Sequence, residues 1–313
     1  MNISILTVQG FNIGSYLQAY ALKSFLEEHG HTVSMIPTFH LAVTAGFSSP
    51  CITFDTQKIL KLISLWWYER KQKHPEPPDA LVIGSDIVLQ KKFIQHFARM
   101  NNYSFKKKIL YAPCCGETQY SEYSQNEILW LRTMTAVSAR DWNTATIVNK
   151  ICNTYVPFVV DPCFLIDWSD VFSTPPQVPK DDTPYIMVYS YRGDKHTRSA
   201  AFRLKEETGC KLVSVGNCLN WCDTSVRVRH PLDIFAYIQN AESVITDTFH
   251  GTVLSMICNA PVEVHPQNHK TRFLIDSAGI PQKKMFTDHS SYKPKLDTMV
   301  YYSKKFLVES LII

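Results

Sequence analysis

Apolar residues in this chain come in two rhythms that take turns. Short, nearly continuous runs over 3–8, 31–36, 80–83, 108–112, 136–138 and 158–160 read as strands buried on both faces. Between them, apolar positions recur at helical spacing. Leu17, Ala21 and Phe25 mark one face of a helix over 15–28 that closes at Gly30, and further helices fit 122–132 and 141–151.

The segment 167–183 breaks the rhythm. Pro175, Pro176 and Pro179 sit there among Ser, Thr and Asp, which marks a linker. The alternation then restarts. Strands are expected at 185–190, 211–215, 244–246 and 262–265. Helices are expected at 196–208, 231–241, 252–259 and 270–277, with a last amphipathic helix over 298–313. Strand–helix alternation on both sides of a linker predicts an α/β protein of two doubly wound, Rossmann-like domains facing a cleft. The N-terminal domain covers 1–170, completed by the helix 298–313, and the C-terminal domain covers 184–297. Ligands in such sheets lie beyond the carboxyl ends of the strands. The polar turns at 9–15, 84–86, 139–141 and 246–251 all follow predicted strands, so they are expected on the ligand side.

Composition narrows the class. Hydrophobic residues at 45% and charged residues at 19% describe a folded chain, not a disordered one. The formal net charge is +4, from 32 Lys+Arg against 28 Asp+Glu. That small excess does not argue for nucleic acid and suits an anionic substrate or a membrane surface. Nine cysteines, none in a Cys-x-x-Cys pair, read as reduced thiols of a cytoplasmic protein. The first apolar run lacks a preceding basic region and reads as a strand rather than a signal peptide. No run reaches the roughly 18 apolar residues of a membrane span. One segment, 56–73, mixes Trp66, Trp67 and Tyr68 with Lys58, Lys61, Arg70 and Lys71. An interfacial helix resting on anionic lipid and an inserted helix covering the sheet both fit it.

The candidate chemistry lies in the turns. Thr246-Asp247-Thr248-Phe249-His250-Gly251 joins a strand to a helix, and a helix N-terminus there attracts anions. His250 can supply a proton or positive charge and Asp247 a base. Read alone, His250 is equally a structural histidine. Arg140, at a strand end, carries a planar fork suited to carboxylate or phosphate, with a salt bridge as the plain alternative. Arg272 is a further anion candidate or a solvated helix residue. Gly10 and Gly14 flank a loop that is either a tight turn or a ligand-lining segment. It is neither a dinucleotide fingerprint nor a P-loop.

Taken in order along the chain, these pieces resemble the polysaccharide pyruvyl transferase family. They are the Asn12-Ile13-Gly14-Ser15 start with Gln18-Ala19-Tyr20, then Gly84-Ser85-Asp86, Tyr111-Ala112 and Ser138-Ala139-Arg140-Asp141. Val160-Asp161-Pro162, Pro231-Leu232-Asp233, Thr246–Gly251 and Arg272-Phe273 follow. The resemblance implies a glycosyltransferase-B-like fold and transfer of the pyruvyl group of phosphoenolpyruvate to two hydroxyls of a sugar. The product is a pyruvate ketal in a capsular, exopolysaccharide or cell-wall precursor. The family's functional histidine falls on His250, with Asp247 or Asp86 as base. Donor binding falls on Arg140, Arg272, Thr248 and Gly251, and acceptor binding on Asn12, Gly14, Ser15 and Ser85. Some relatives carry Arg two residues before the histidine, where this chain has Thr248, so its anion clamp uses Arg272 or backbone N–H groups. Relatives also continue Gly84-Ser85-Asp86 with Gln-x-Trp, where this chain has Ile87-Val88-Leu89. Phosphoenolpyruvate is a co-substrate, and the scheme calls for no cofactor and no metal. The expected place is the cytoplasm, at the inner face of the membrane, with a lipid-linked sugar acceptor as partner and no nucleic acid. A nucleotide-sugar glycosyltransferase and a non-catalytic glycan-binding protein are the rival readings.

Overall fold

The computed structural model describes residues 1–8, 12–36, 78–98, 105–173, 183–228 and 230–312. The basic, Trp-rich stretch 56–73, Gly10 and the prolines of the expected linker lie outside the described residues. The chain divides into two compact units, Met1–Leu165 with Tyr302–Ile313, and Ile166–Tyr301.

Unit 1 runs β1 (Asn2–Leu6), α1 (Ile13–Glu28), β2 (Thr32–Met35), β3 (Ala80–Ile83), α2 (Lys91–Phe97), β4 (Lys107–Leu110), α3 (Gln125–Leu131), β5 (Ala136–Val137) and α4 (Trp142–Cys152). Its five strands are all parallel, in the order β2-β1-β3-β4-β5. The central strand β3 is buried at every position. Such a strand cannot alternate apolar and polar residues, and Ala-Leu-Val-Ile does not. Ile83, Leu110, Phe93, Phe97, Leu131 and Val148 form the core against it.

Unit 2 runs α5 (Ser169–Ser173), β6 (Tyr185–Tyr189), α6 (Lys195–Thr208), β7 (Lys211–Val215), β8 (Thr224–Val226), α7 (Ile234–Gln239), β9 (Ser243–Thr246), α8 (Phe249–Ile257), β10 (Val262–Val264), α9 (His269–Ala278) and β11 (Met285–Phe286). The sheet order is β11-β10-β9-β6-β7-β8, parallel except where β11 runs antiparallel to β10. The last helix, α10 (Lys293–Ile312), begins in unit 2 and ends in unit 1. There Ser303 Oγ accepts from the Val160 N–H at 2.9 Å and Lys107 Nζ donates to the Leu311 carbonyl.

Several boundaries differ from the sequence reading, each for a local reason. Helix α1 starts at Ile13 because Asn12 Oδ1 accepts from Gly14 N at 2.8 Å and caps it. Helix α3 starts late, at Gln125, where Ser124 and Glu127 form a capping box. The expected strand over 158–160 is reduced to one bridge, between Ala139 and Phe158. Helix α2 falls on a stretch to which the sequence reading assigned no element, and Lys91 Nζ pairs with buried Glu127 at 2.6 Å.

Candidate active site

Polar side chains gather at the carboxyl ends of the strands in each unit. In unit 1 they follow β1, β3 and β5. Gly84 has φ +124, and a Cβ there would lie 1.9 Å from the Tyr111 carbonyl oxygen. Only glycine lets the chain after β3 pass so close to the end of β4. That passage turns Ser85 and Asp86 inward, and both are buried.

Asp86 Oδ2 accepts from Ser15 Oγ at 2.8 Å, and its Oδ1 accepts from Arg140 Nη2 at 2.9 Å. Arg140 Nη1 donates to Asp161 Oδ2 at 2.7 Å. Gln18 extends the network. Its Oε1 accepts from Ser85 Oγ at 3.0 Å, and its Nε2 donates to Thr7 Oγ1 at 3.0 Å. Arg140 is only 3% exposed. Burial works against its charge, but Asp86 and Asp161 outweigh that and hold the guanidinium above the ordinary arginine value.

Of the unit 1 residues singled out from the sequence, the structure therefore brings Ser15, Ser85, Asp86 and Arg140 together. Both terminal nitrogens of Arg140 are engaged by carboxylates, so the expected open anion fork is instead a brace between Asp86 and Asp161. Asn12 spends its side chain on the helix cap, and Gly14 lies buried in the first turn of α1. The sequence reading did not assign Asp161 or Gln18 to the site. For Asp161 the signal was present, since Asp161-Pro162 follows an apolar run as the other site turns do.

In unit 2 the turn after β9 is built from hydroxyls. Thr246 Oγ1 donates to the Tyr189 carbonyl at 2.7 Å and accepts from Thr248 N at 3.1 Å. Thr248 Oγ1 accepts from Gly251 N at 2.9 Å and caps α8. The helix thus starts at Phe249, three positions earlier than its apolar run suggests. His250 becomes part of the first helical turn and is 3% exposed. A Cβ on Gly251 would meet Thr246 Oγ1 at 2.1 Å, so the turn accepts only glycine there.

Asp247 is buried beside this turn and accepts from Ser190 Oγ at 2.6 Å. Burial pushes its carboxyl above the ordinary aspartate value. The Ser190 hydrogen bond opposes that shift and the nearby charge of Asp194 adds to it. A carboxyl tuned this way is suited to proton transfer. The cation beside the turn is Lys270, whose Nζ stands 5.3 Å from the Phe249 ring centroid. Arg272 lies two positions along α9 and is exposed. Helix positions two apart do not share a face, so the turn meets one of these cations and not the other. Lys270 and Ser190 are the unit 2 residues the sequence reading missed. Among the described residues no helix is long and apolar enough to cross a membrane.

The fold is shared with solved enzymes. UDP-GlcNAc 2-epimerase from Neisseria meningitidis, solved with UDP-GlcNAc, is 12% identical, covers 100% of both chains and superposes with a TM-score of 0.55. MnaA of S. aureus, solved with UDP, is 13% identical over 97% of this chain and 90% of its own, with a TM-score of 0.52. A putative UDP-N-acetylglucosamine 2-epimerase from Listeria monocytogenes is 12% identical over 98% and 90%, also at 0.52. Identity this low speaks for the fold alone: two Rossmann-like units of the glycosyltransferase-B type. Among proteins of curated function none matches the chain in sequence. The sequence model of one family does match, over residues 12–262, a span that holds Ser15, Ser85, Asp86, Arg140 and Asp161 and the turn from Thr246 to Gly251. The match takes in most of the chain, which therefore belongs to the polysaccharide pyruvyl transferase family.

Proposed function

We propose that this transferase moves the pyruvyl group of phosphoenolpyruvate onto two hydroxyls of one sugar in a capsular, exopolysaccharide or cell-wall precursor. The observation that carries this reading is the turn at the start of α8. It joins a buried imidazole, a buried carboxyl with a raised pKa and a flanking ammonium at one helix N-terminus. The donor has matching parts. Its phosphate and carboxylate call for Lys270 and a helix N-terminus. Its methylene carbon calls for a proton.

In this reading His250 protonates that carbon, which leaves the adjoining carbon electrophilic. A sugar hydroxyl attacks there, phosphate leaves, and a second hydroxyl closes the ketal. Asp247 takes the hydroxyl protons. Of the two, one restores His250 and the other departs with phosphate. Asp86 and Arg140 hold the acceptor-binding segment around Ser15 and Ser85 rather than move protons, because their charges are already spent on each other. Thr248 and Gly251 shape the donor turn. The stretch around Trp66 and Trp67 rests on the inner face of the membrane, where lipid-linked acceptors are found. Replacing both with Ser is expected to weaken liposome binding and spare phosphoenolpyruvate binding.

Calorimetric titration with phosphoenolpyruvate tests the assignment, with UDP-galactose and UDP-N-acetylglucosamine run in parallel. Phosphoenolpyruvate binding weakened by Lys270→Ala, with turnover lost in His250→Ala, is the expected result. Binding of a nucleotide sugar alone would overturn it in favour of a glycosyltransferase.

A further inference from the structure

Unit 2 has a second polar feature that the transfer reaction does not use. A cavity of about 450 Å³ opens beside α6, β10 and the start of β11, lined by Ser199, Arg203, Glu263, His265, Lys283 and Lys284 among others. None of Asp247, Thr248, His250 and Gly251 lines it. Ser199 and Arg203 are four apart on α6 and so present to one face.

Glu263 is a charge in the middle of a buried strand, 1% exposed. Its Oε2 accepts from Arg203 Nη2 at 2.6 Å, and its Oε1 meets His265 Nε2 at 2.9 Å. Burial pushes this carboxyl up, and the bonds to His265 and Arg203 more than reverse that, so it stays ionised. An ionised partner fixes the tautomer, and Nε2 of His265 carries the proton. Nδ1 of His265 is left buried with no hydrogen-bond partner among the described residues, on a side chain 6% exposed. A buried polar atom without a partner is rare and points to a missing one.

The charge around that atom is unbalanced. Arg203 is neutralised by Glu263 and by Glu207, whose Oε2 lies 3.0 Å from Nη1. Lys283 and Lys284 are exposed and pair with no carboxylate among the described residues. The lining thus offers two uncompensated ammoniums, the Ser199 hydroxyl and the imidazoles of His196 and His265. Its carboxylate has both oxygens in use. The complementary ligand carries more than one negative charge for the ammoniums and a hydroxyl that donates to Nδ1. The volume suits a sugar-sized molecule rather than a bare ion.

We infer that the cavity between α6 and β10–β11 binds the phosphate-monoester group of a phosphorylated sugar. The phosphate lies against Lys283 and Lys284 and a hydroxyl of the sugar donates to Nδ1 of His265, separate from the donor turn at His250.

Titration of the full chain with glucose 1-phosphate tests this, with glucose and glucuronate as controls. Wild type is expected to bind glucose 1-phosphate and not glucose. The Lys283→Ala/Lys284→Ala variant should lose about tenfold or more in affinity, and His265→Gln should also weaken. His250→Ala should bind it as wild type does. Both lysines are exposed, so the double variant should keep its urea midpoint. Unchanged affinity in the double variant, or a loss seen only in His250→Ala, would overturn the assignment. Equal binding of glucuronate would overturn the phosphate in favour of any anion. Phosphoenolpyruvate titrated into the same variants separates the two sites, since its binding should survive in the lysine variant whether or not the sugar phosphate binds.

Discussion

Arg140 and Asp161 meet across 2.7 Å at the carboxyl ends of the unit 1 strands, with side chains 2% and 0% exposed. Two charges so deeply withdrawn from water persist only because each answers the other, and Asp86 completes the set from the opposite side of the guanidinium. Removing the cation strands two carboxylates. Arg140→Ala is therefore expected to cost about 3–5 kcal/mol, read as a fall in the urea midpoint. Adding Asp86→Asn and Asp161→Asn to Arg140→Ala should recover part of that loss, since no unpaired charge then remains. A triple variant less stable than the single one would show that the carboxylates serve contacts other than Arg140.

Gly251 gives a second test, in the other unit. A methyl group there would press on Thr246 Oγ1 and Thr248 Oγ1, at 2.1 and 2.7 Å. These are the two hydroxyls that shape the turn. Gly251→Ala should cost about 1–3 kcal/mol through overpacking. It should also abolish phosphoenolpyruvate binding in calorimetry, because the turn must open to relieve the contact. Full binding with a lowered midpoint would separate the turn from the donor.

These two clusters differ in how far the sequence discloses them. Asp247, Thr248, His250 and Gly251 are neighbours in the chain, so any fold that makes the turn brings them together. The register of the helix is less legible. Thr246, Asp247 and Thr248 can all cap, and the choice depends on which oxygen reaches Gly251 N. In unit 1 the sequence shows a cation at a strand end but not its partners, since Asp86 lies 54 residues and Asp161 21 residues away. Strand β3 is plain because both of its faces are buried. Strands β8 and β11 are short, partly exposed edges, where the apolar signal fades. Lys270 and Arg272 look equivalent in the sequence. Only the orientation of α9 tells them apart.

Thr248 holds the start of the donor helix, and the structure gives its replacement a cost. Thr248 Oγ1 is the cap of α8 and lies 3.0 Å from Thr246 Oγ1. Thr248→Ala should lose about 1 kcal/mol, and Thr248→Ser should keep most of it. Thr248→Arg should show the same loss of stability while tightening phosphoenolpyruvate binding, because it adds a cation at the donor turn. A weaker affinity in Thr248→Arg would argue that the anion is held elsewhere.

Asp247 ties stability to pH in a direction opposite to that of most carboxylates. Its folded pKa is raised, by burial first, with the Ser190 bond opposing and Asp194 adding. Between the unfolded value, near 4, and the raised folded one, the folded chain holds more protons than the unfolded chain. Stability then falls as pH rises through that window. Asp247→Asn cannot ionise, and its amide oxygen can still accept from Ser190. Its urea midpoint should match wild type at about pH 3 and exceed it at about pH 8, the gap opening across the window. Asp194 loses one charged neighbour in the variant, so the difference reports Asp247 together with its coupling to Asp194. If Asp247 is also the base, the same variant should bind phosphoenolpyruvate yet turn over slowly, more stable and less active at once. A variant less stable than wild type at about pH 8 would mean that the ionised carboxylate is held favourably after all. The raised pKa and the proton-transfer role would then fall together.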